Sequence, residues 1–361
     1  MSKFFTVVVV LSILAVGILL ATPNQPMTAA PGQPARQPSS QPYLGNGSWA
    51  LQDSPTSVTL RAVSAYDQQN VWAVGGDDAG TIVRTTDGGQ TWIKLTSAAP
   101  RALTAVQFVS ETEGWVGGEA GLIWHTTDGG FSWEIQSSPT GSNMTGIEMI
   151  NNQTGWFTTR GGSILHTIDG GQNWIRQDAV PRTAGMLGIS AVNPLEVWAA
   201  GNAGQIVHST NAGSDWFYQD SGSGEDFNAI QFVDALHGYA GGNNFRRTTN
   251  GGINWLRSDD GAPPKGVQGM AFLDVNYGWM VGDNGMILVT HDGLQHWQTY
   301  DGPGAEWRGI SFADPIHGWA VGTAGRIMFY TEGCGHSRVR KAGRAAIPFG
   351  TPTFLPMISN C

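Results

Sequence analysis

Short runs of alternating apolar and polar residues, separated by glycine-rich turns, recur along the chain with a period of about 40 residues. In the second unit the runs cover 103–109, 114–117, 122–126 and 133–136. Alternation over so few residues is typical of half-buried strands and not of helices. Four short strands in each unit of this length predict the blade of a β-propeller.

Two aromatic landmarks mark the units. A Trp or Tyr followed by small residues recurs at Trp72, Trp115, Trp156, Trp198, Tyr239, Trp279 and Trp319. A second Trp, which follows a glycine turn, recurs at Trp92, Trp133, Trp174, Trp216, Trp255 and Trp297. The first landmark occurs once more often than the second, so one unit lacks its final strand.

The missing strand lies at the N-terminal end of the repeats. The seventh unit has strands at 307–312, 318–322 and 326–331 but no terminal Trp strand, whereas residues 48–52 match that strand and Trp49 lies about 40 residues before Trp92. We therefore predict an all-β, seven-bladed β-propeller with four-stranded antiparallel blades. Its N-terminal strand should close the last blade and remove the open edges of the ring.

The loop before the first of these Trp residues, at 85–92, matches the Asp-box pattern S/T-x-D-x-G-x-T-W, and the loops of the other units are variants of it. Its acidic position is occupied by Asp87, Asp128, Asp169, Asn211, Asn250 and Asp292. Since Asn replaces Asp in two units, the position needs an acceptor for turn N–H groups and not a catalytic charge. Gly89 and its equivalents should supply the positive φ of the turn.

The strand before each Asp-box carries a second column of polar and aromatic side chains. Its members are Arg84, His125, His166, His208, Arg247, Val289 and Phe329. Three successive histidines suggest zinc, but neighbouring blades should separate them by about 10 Å, whereas Zn–N bonds are about 2 Å. We expect these side chains to lie against the next blade or in solvent, and we predict no metal site and no cofactor.

Composition agrees with an all-β chain and excludes some classes of function. Gly contributes 51 residues and Trp 15, while charged residues make up only 13%. The formal net charge of −9 argues against nucleic-acid binding. Two cysteines, Cys334 and Cys361, are too few for a disulfide framework or a thiolate metal site.

The N-terminal region predicts export. Lys3 precedes an apolar run at 4–21, and we divide the chain into a signal peptide or membrane anchor (1–21), a Pro-rich linker (22–45), the propeller (46–333) and a basic tail (334–361). Cleavage and retention of the segment both remain open. Either places the propeller in a periplasmic, lumenal or extracellular compartment, where Cys334 and Cys361 can form a disulfide.

Residues that lead into the innermost strands should surround one mouth of the central channel. These are Arg61, Thr104, Thr145, Leu187, Asn228, Gln268 and Arg308. Since blades one and seven are neighbours, Arg61 and Arg308 should stand side by side and suit a carboxylate or another anion. Alternatively, each arginine neutralises a nearby acid such as Asp77, Asp78 or Glu306.

The crossovers on the same face should be divided by charge. Blades four to seven contribute Asp220, Glu225, Asp226, Asp259, Asp260, Asp283, Asp301 and Glu306, and blades two and three contribute Arg101, Arg160 and Arg182. Such a division suits a protein partner with complementary patches. The same acids would also serve solubility alone.

The repeat resembles one family closely. Leu-Thr-Ala-Val-Gln-Phe-Val at 103–109, Glu-Gly-Trp-Val-Gly-Gly at 113–118 and Gly-Leu-Ile-Trp-His-Thr-Thr-Asp-Gly-Gly at 121–130 are similar to the photosystem II stability/assembly factor family, a branch of the BNR/Asp-box propellers. The resemblance covers 48–333. It implies a lumenal or membrane-tethered assembly factor that binds newly made reaction-centre polypeptide through a basic patch.

Sequence analysis therefore predicts a monomeric, exported, non-catalytic propeller that binds a protein partner, such as a membrane-protein assembly intermediate. The alternative is a carbohydrate-active Asp-box propeller, either a sialidase-like glycosidase or a glycan-binding protein. A sialidase needs an arginine triad, a Tyr–Glu nucleophile pair and an acidic Asp. No such triad is visible among the arginines of the repeat units, so no catalytic residue is assigned.

Overall fold

A computed structural model describes residues 47–96, 99–178, 184–257, 266–301 and 304–332. In these ranges the chain forms seven antiparallel sheets. None of the helices in this part of the chain is long and apolar enough to cross a bilayer. The predicted all-β, seven-bladed propeller is confirmed.

The first strand of each blade lines the channel, and the following strands lie successively farther out. The chain begins with β1 (Gly47–Gln52), and blade one then contains β2 (Leu60–Ala65), β3 (Val71–Gly75), β4 (Thr81–Thr85) and β5 (Ile93–Leu95). Blade two contains β6 (Leu103–Phe108), β7 (Gly114–Gly118), β8 (Ile123–Thr126) and β9 (Glu134–Ile135). Blade three contains β10 (Met144–Met149), β11 (Gly155–Thr159), β12 (Ser163–Thr167) and β13 (Ile175–Asp178).

The remaining blades continue this order around the ring. Blade four contains β14 (Met186–Ala191), β15 (Val197–Gly201), β16 (Ile206–Ser209) and β17 (Phe217–Gln219), and blade five contains β18 (Phe227–Phe232), β19 (Gly238–Gly242) and β20 (Phe245–Thr248). Blade six contains β21 (Val267–Phe272), β22 (Gly278–Gly282), β23 (Met286–Thr290) and β24 (Gln298–Asp301). Blade seven contains β25 (Trp307–Asp314), β26 (His317–Gly322) and β27 (Ile327–Glu332). Short 3-10 turns join second to third strands at Glu119–Gly121, Asn202–Gly204, Asp283–Gly285 and Thr323–Gly325.

The N-terminal strand closes the ring, as predicted. Strand β1 pairs antiparallel with β27, from Gly47 opposite Glu332 to Gln52 opposite Ile327. The sheet order β1-β27-β26-β25 therefore makes β1 the outermost strand of blade seven. Trp49 packs against Tyr330 with ring centroids 5.3 Å apart.

Blade five differs from the four-stranded pattern within the described residues. Its sheet has three strands, and its outer segment contributes a single bridge between Arg247 and Leu256. Arg246, which stands where other blades have an apolar side chain, is buried. Its guanidinium donates to the carbonyls of Ser221 and Gly222 in the preceding crossover, which compensates for its burial.

The apolar core lies between the blades. One cluster joins Val71 and Trp92 of blade one to Trp319 of blade seven, and another joins Trp72 to Phe108 of blade two, whose rings stack 3.7 Å apart. All six first-landmark tryptophans are almost completely buried. Stability therefore depends on contacts between neighbouring blades as much as on each sheet.

Glutamines at the ends of outer strands, or directly after them, add polar contacts between blades. Gln52 of β1 donates to the Gly88 carbonyl of blade one and accepts from the Trp92 indole N–H at 2.9 Å. Gln136 makes the same two contacts with Gly170 and Trp174 of blade three. Strand β1 therefore bonds to blade one as well as to blade seven.

Candidate partner-binding face at the channel mouth

The seven predicted rim residues do surround one mouth of the channel. They line a cavity of about 210 Å³ together with the inner ends of all seven blades. The members are Arg61, Thr104, Thr145, Leu187, Asn228, Gln268 and Arg308. We call this end of the propeller the mouth face.

The two arginines occupy neighbouring positions on the rim. The backbones beside them touch, because a Cβ placed on Gly309 would lie 3.1 Å from the Ala62 Cα. About a third of each side chain is exposed, 38% for Arg61 and 32% for Arg308. The pair therefore presents two guanidinium groups to solvent at the mouth.

Both arginines also contact acids, as the alternative interpretation expected. Arg61 lies 4.0 Å from Asp77 and donates to the Gly76 carbonyl, but forms no ion pair or hydrogen bond with Asp78. Arg308 pairs with Glu306. These are exposed pairs, which stabilise a fold only weakly and leave the guanidinium groups accessible to a ligand.

A third acid links two blades at the rim. Asp283, in the 3-10 turn of blade six, accepts a hydrogen bond from the Gln268 amide at 3.1 Å and lies 4.0 Å from the Arg308 guanidinium. The predicted site residues Gln268 and Arg308 thus share one carboxylate. The sequence had placed Asp283 only among the crossover acids.

The other polar rim residues have partners within the ring. Thr104 donates to the Met144 carbonyl, Thr145 to the Met186 carbonyl, and Asn228 to the Val267 carbonyl. Each acceptor begins the inner strand of the next blade in the described chain. The amide of Asn228, a predicted rim and binding residue, therefore joins blades five and six.

Two other predicted basic residues, Arg101 and Arg160, do not line the mouth cavity. Arg101 and Arg160 are exposed in crossovers and turns outside it. Arg182, Asp259, Asp260 and both cysteines lie outside the described residues. Of the predicted binding residues in the described ranges, four line the mouth cavity: Arg61, Asn228, Gln268 and Arg308.

An apolar ring lies below the rim. Its members line both the mouth cavity and a larger cavity of about 720 Å³. They are Val63, Val106, Ile147, Ile189, Ile230, Met270 and Ile310. We call the larger cavity the vestibule; the sequence did not predict it.

The vestibule opens on the end of the propeller that carries the Asp-box turns and the turns between first and second strands, which we call the Asp-box face. The turns of this face are joined by backbone hydrogen bonds such as Gly251 N–H to Leu236 C=O. Among the described residues, the vestibule lining includes the acids Glu148, Glu196 and Asp234 but no Lys or Arg. The two ends of the channel therefore differ in charge.

The acidic position of the Asp-box pattern serves its own turn. Asp87 accepts from the Thr91 N–H at 2.9 Å, and the Asn211 side-chain oxygen accepts equivalently from the Asp215 N–H at 2.8 Å. Burial opposes ionisation of Asp128, but hydrogen bonds from Ser132 and Thr126 outweigh it and lower its pKa to about 2. A carboxyl group held ionised in this way is no general acid.

Positive φ occurs at Gly89, with φ 88°, and at its equivalents in blades two to five. In blade six the position is taken by Leu294, with φ 75°. Its side chain is buried in the core between blades five and six. The burial of a large apolar side chain offsets the strain of this backbone conformation.

Side chains of the histidine column make contacts within a blade as well as the predicted contacts with the next blade. His166 stacks on Trp156 and His208 on Trp198, with ring centroids 4.8 Å and 4.2 Å apart, so each of these histidines packs on a tryptophan of its own blade. Arg84 does reach the next blade, where it donates to the Gly129 carbonyl. No group of three or more His, Cys, Asp or Glu side chains in the described ranges is placed to hold a metal ion.

Acidification from pH 7.5 to 5 should lower the free energy of unfolding. Burial lowers the pKa of His166 and His208, so the folded protein resists protonation, whereas the unfolded chain binds protons below a pKa of about 6.5. The stability that the two neutral histidines contribute is therefore fully present above about pH 6.5 and is lost as the pH falls towards their lowered pKa values. Urea denaturation between these limits measures the slope. Replacing both histidines with Gln should flatten this slope; equal slopes in the parent and the double variant would contradict the prediction.

Comparison with known proteins identifies relatives of the repeat. The family model for photosynthesis system II assembly factor YCF48 matches residues 42–177 and 131–220. No curated protein sequence matches the chain.

Solved structures share the fold. YCF48 bound to D1 peptide is 24% identical, with a TM-score of 0.65 over 78% of this chain and 96% of that one. YCF48 from Cyanidioschyzon merolae is 20% identical, with a TM-score of 0.63 over 78% and 98%. Virginiamycin B lyase from Staphylococcus aureus is 18% identical, with a TM-score of 0.64 over 79% and 99%, so the architecture also occurs in an enzyme. From the family-model match and the repeat, the chain belongs to the photosystem II assembly factor-like family of β-propellers.

Proposed function

We propose that this protein is an exported, non-catalytic assembly factor that binds a peptide segment of a membrane-protein subunit at the mouth face. The observation that carries the proposal is the pair of part-exposed guanidinium groups, Arg61 and Arg308, beside a central cavity. The family supports a protein-binding propeller. Export is proposed from the apolar run at 4–21.

The rim chemistry favours a peptide that carries a carboxylate. Arg61 and Arg308 can each donate to it, since guanidinium groups recognise carboxylates by paired hydrogen bonds. Asp77 and Glu306, which are 65% and 49% exposed, can release the arginines to a ligand with little loss of stability. A YCF48 structure with bound D1 peptide supports a peptide ligand, and in a photosynthetic host the partner would be a photosystem II subunit.

Replacing both Arg61 and Arg308 with Ala should abolish most peptide binding and leave the fold intact. Each lost charge-assisted contact costs on the order of 1.5–3 kcal/mol, so the dissociation constant should rise at least about 100-fold. Fluorescence polarisation with labelled D1 peptide measures this change, and recovery of assembly intermediates from solubilised membranes tests it on natural partners. Thermal melts should show little difference between variant and parent.

A matched control removes two positive charges elsewhere. Lys94→Ala with Arg176→Ala changes the net charge equally on outer strands away from the mouth and should leave binding unaltered. If the mouth variant recovers partner as well as the parent, or if both double variants lose binding equally, the mouth is not the binding site. A lower melting temperature without loss of binding would assign the arginines to neutralising nearby acids.

A further inference from the structure

The Asp-box face combines negative charge with exposed apolar side chains around the vestibule. Leu195, Leu236 and Ile316, in turns between first and second strands, are 56%, 54% and 37% exposed. Glu196 and Asp234 lie in the same turns and line the vestibule. The opening is therefore a concave acidic surface with a partly apolar border, which suits a segment that carries cations and large apolar residues.

The chain supplies such a segment at the same end of the propeller. Strand β27 is a third strand, so it runs towards the Asp-box face, where Thr331 pairs with His317, the first residue of β26. Residues 333–361 follow directly. They contain Arg338, Arg340, Lys341 and Arg344, no Asp or Glu, and then Ile347, Phe349, Phe354, Leu355, Met357 and Ile358.

We propose that the basic segment 333–361 of the same chain docks on the Asp-box face and enters the vestibule. The third strand of a blade is only about 10 Å from the inner strand, at two strand spacings. A covalently attached segment so close has an effective concentration of about millimolar, so weak contacts suffice. A membrane surface rich in anionic lipid fits this acidic face less well.

The docked segment would occupy the face opposite the proposed peptide site. Binding of this segment and binding of a partner at the mouth are therefore separate events, divided by the apolar ring. The inference does not depend on the proposed function.

Photo-crosslinking of the full chain tests the proposal. Benzoylphenylalanine at Leu236, on the Asp-box face, should form intrachain crosslinks to peptides from 333–361 when dilute protein is irradiated. The same probe at Asn284, in an exposed turn on the mouth face, should not. Mass spectrometry of digests identifies the linked peptides, and gel mobility separates monomers from dimers.

Charge variants then test the chemistry. Glu148→Gln with Glu196→Gln should lower the crosslink yield several-fold, because each exposed ion pair contributes about a 1.5- to 5-fold factor. Asp78→Asn with Glu225→Gln makes the same charge change at exposed positions on the mouth face and should leave the crosslink yield unchanged. Substitution of the four tail cations with Gln should repeat the loss.

Three outcomes would overturn the inference. Crosslinks between two copies would assign the face to self-association. Equal crosslink yields from positions 236 and 284 would show that the segment contacts both faces without preference. No crosslink from position 236 would show that the segment lies elsewhere. A membrane-binding role for the segment would require two results. The parent would float with vesicles of anionic lipid while the tail-substituted protein does not, and no intrachain crosslink would form.

Discussion

Deletion of residues 46–53 should unfold the propeller or lower its melting temperature by more than about 10 °C. Without β1, blade seven loses its outer strand and leaves the β27 backbone unpaired. Trp49 no longer covers Phe312 and Tyr330, and Gln52 no longer bonds to blade one. Loss of the burial of one large apolar side chain and of several hydrogen bonds should lower the free energy of unfolding by about 5 kcal/mol or more. That amount is comparable with the total free energy of unfolding of many domains.

Circular dichroism and thermal melts measure the effect. Deletion of a segment of equal length within 22–45 provides the control and should leave the melting temperature unchanged. Since the deleted protein could fail to accumulate, Trp49→Ala with Gln52→Ala offers a milder variant, expected to melt several degrees lower. A deletion mutant that melts like the parent would show that the ring closes in another way.

Trp198→Ala should cost about 3–5 kcal/mol of stability, the usual loss for a fully buried tryptophan. The Trp198 indole is completely buried, stacked between His208 of its own blade and Phe232 of blade five, with centroids 4.2 Å and 3.8 Å away. Truncation therefore opens a cavity between two blades and removes both stacking contacts. Chemical denaturation measures the free energy of unfolding.

Phe217→Ala is the matched control for this truncation. Phe217 is an aromatic residue of the same blade but is 60% exposed, so its removal should change stability by less than about 0.5 kcal/mol. Trp198→Phe should recover part of the loss. If Trp198→Ala and Phe217→Ala lowered the free energy of unfolding by similar amounts, the packing between blades four and five would not be the source of the stability assigned to Trp198.

The architecture could be predicted from sequence because its determinants are local and repeated. The aromatic landmarks marked the second and fourth strands, and the matching strand around Trp49 located the closure. The strand ends in the structure differ from the predicted ends by one or two residues. Strand β8, for example, begins at Ile123 and not at the predicted position 122. The exception at Leu294 could not be foreseen, because burial of its side chain compensates for a backbone conformation that glycine adopts in other blades.

The site could be predicted only in part, because contacts between blades depend on tertiary structure. The positions of Arg61 and Arg308 followed from the order of the repeats. Sequence spacing did not show that Asn228 would bond to a neighbouring backbone, nor that Asp283 would serve both Gln268 and Arg308. Nor did the alternation of residues indicate the volume or the charge of the vestibule, which arises from side chains of different blades.

The pairing of β1 with β27 also imposes an order on folding during synthesis. Gly47 leaves the ribosome early, but its partner Glu332 is made only after every blade has been translated. Until then the nascent chain is an open arc with an unpaired edge at each end, and contacts of such large sequence separation form slowly. Only a chain that has been translated through β27 can therefore close the ring, because a chain truncated earlier has no partner for its own first strand.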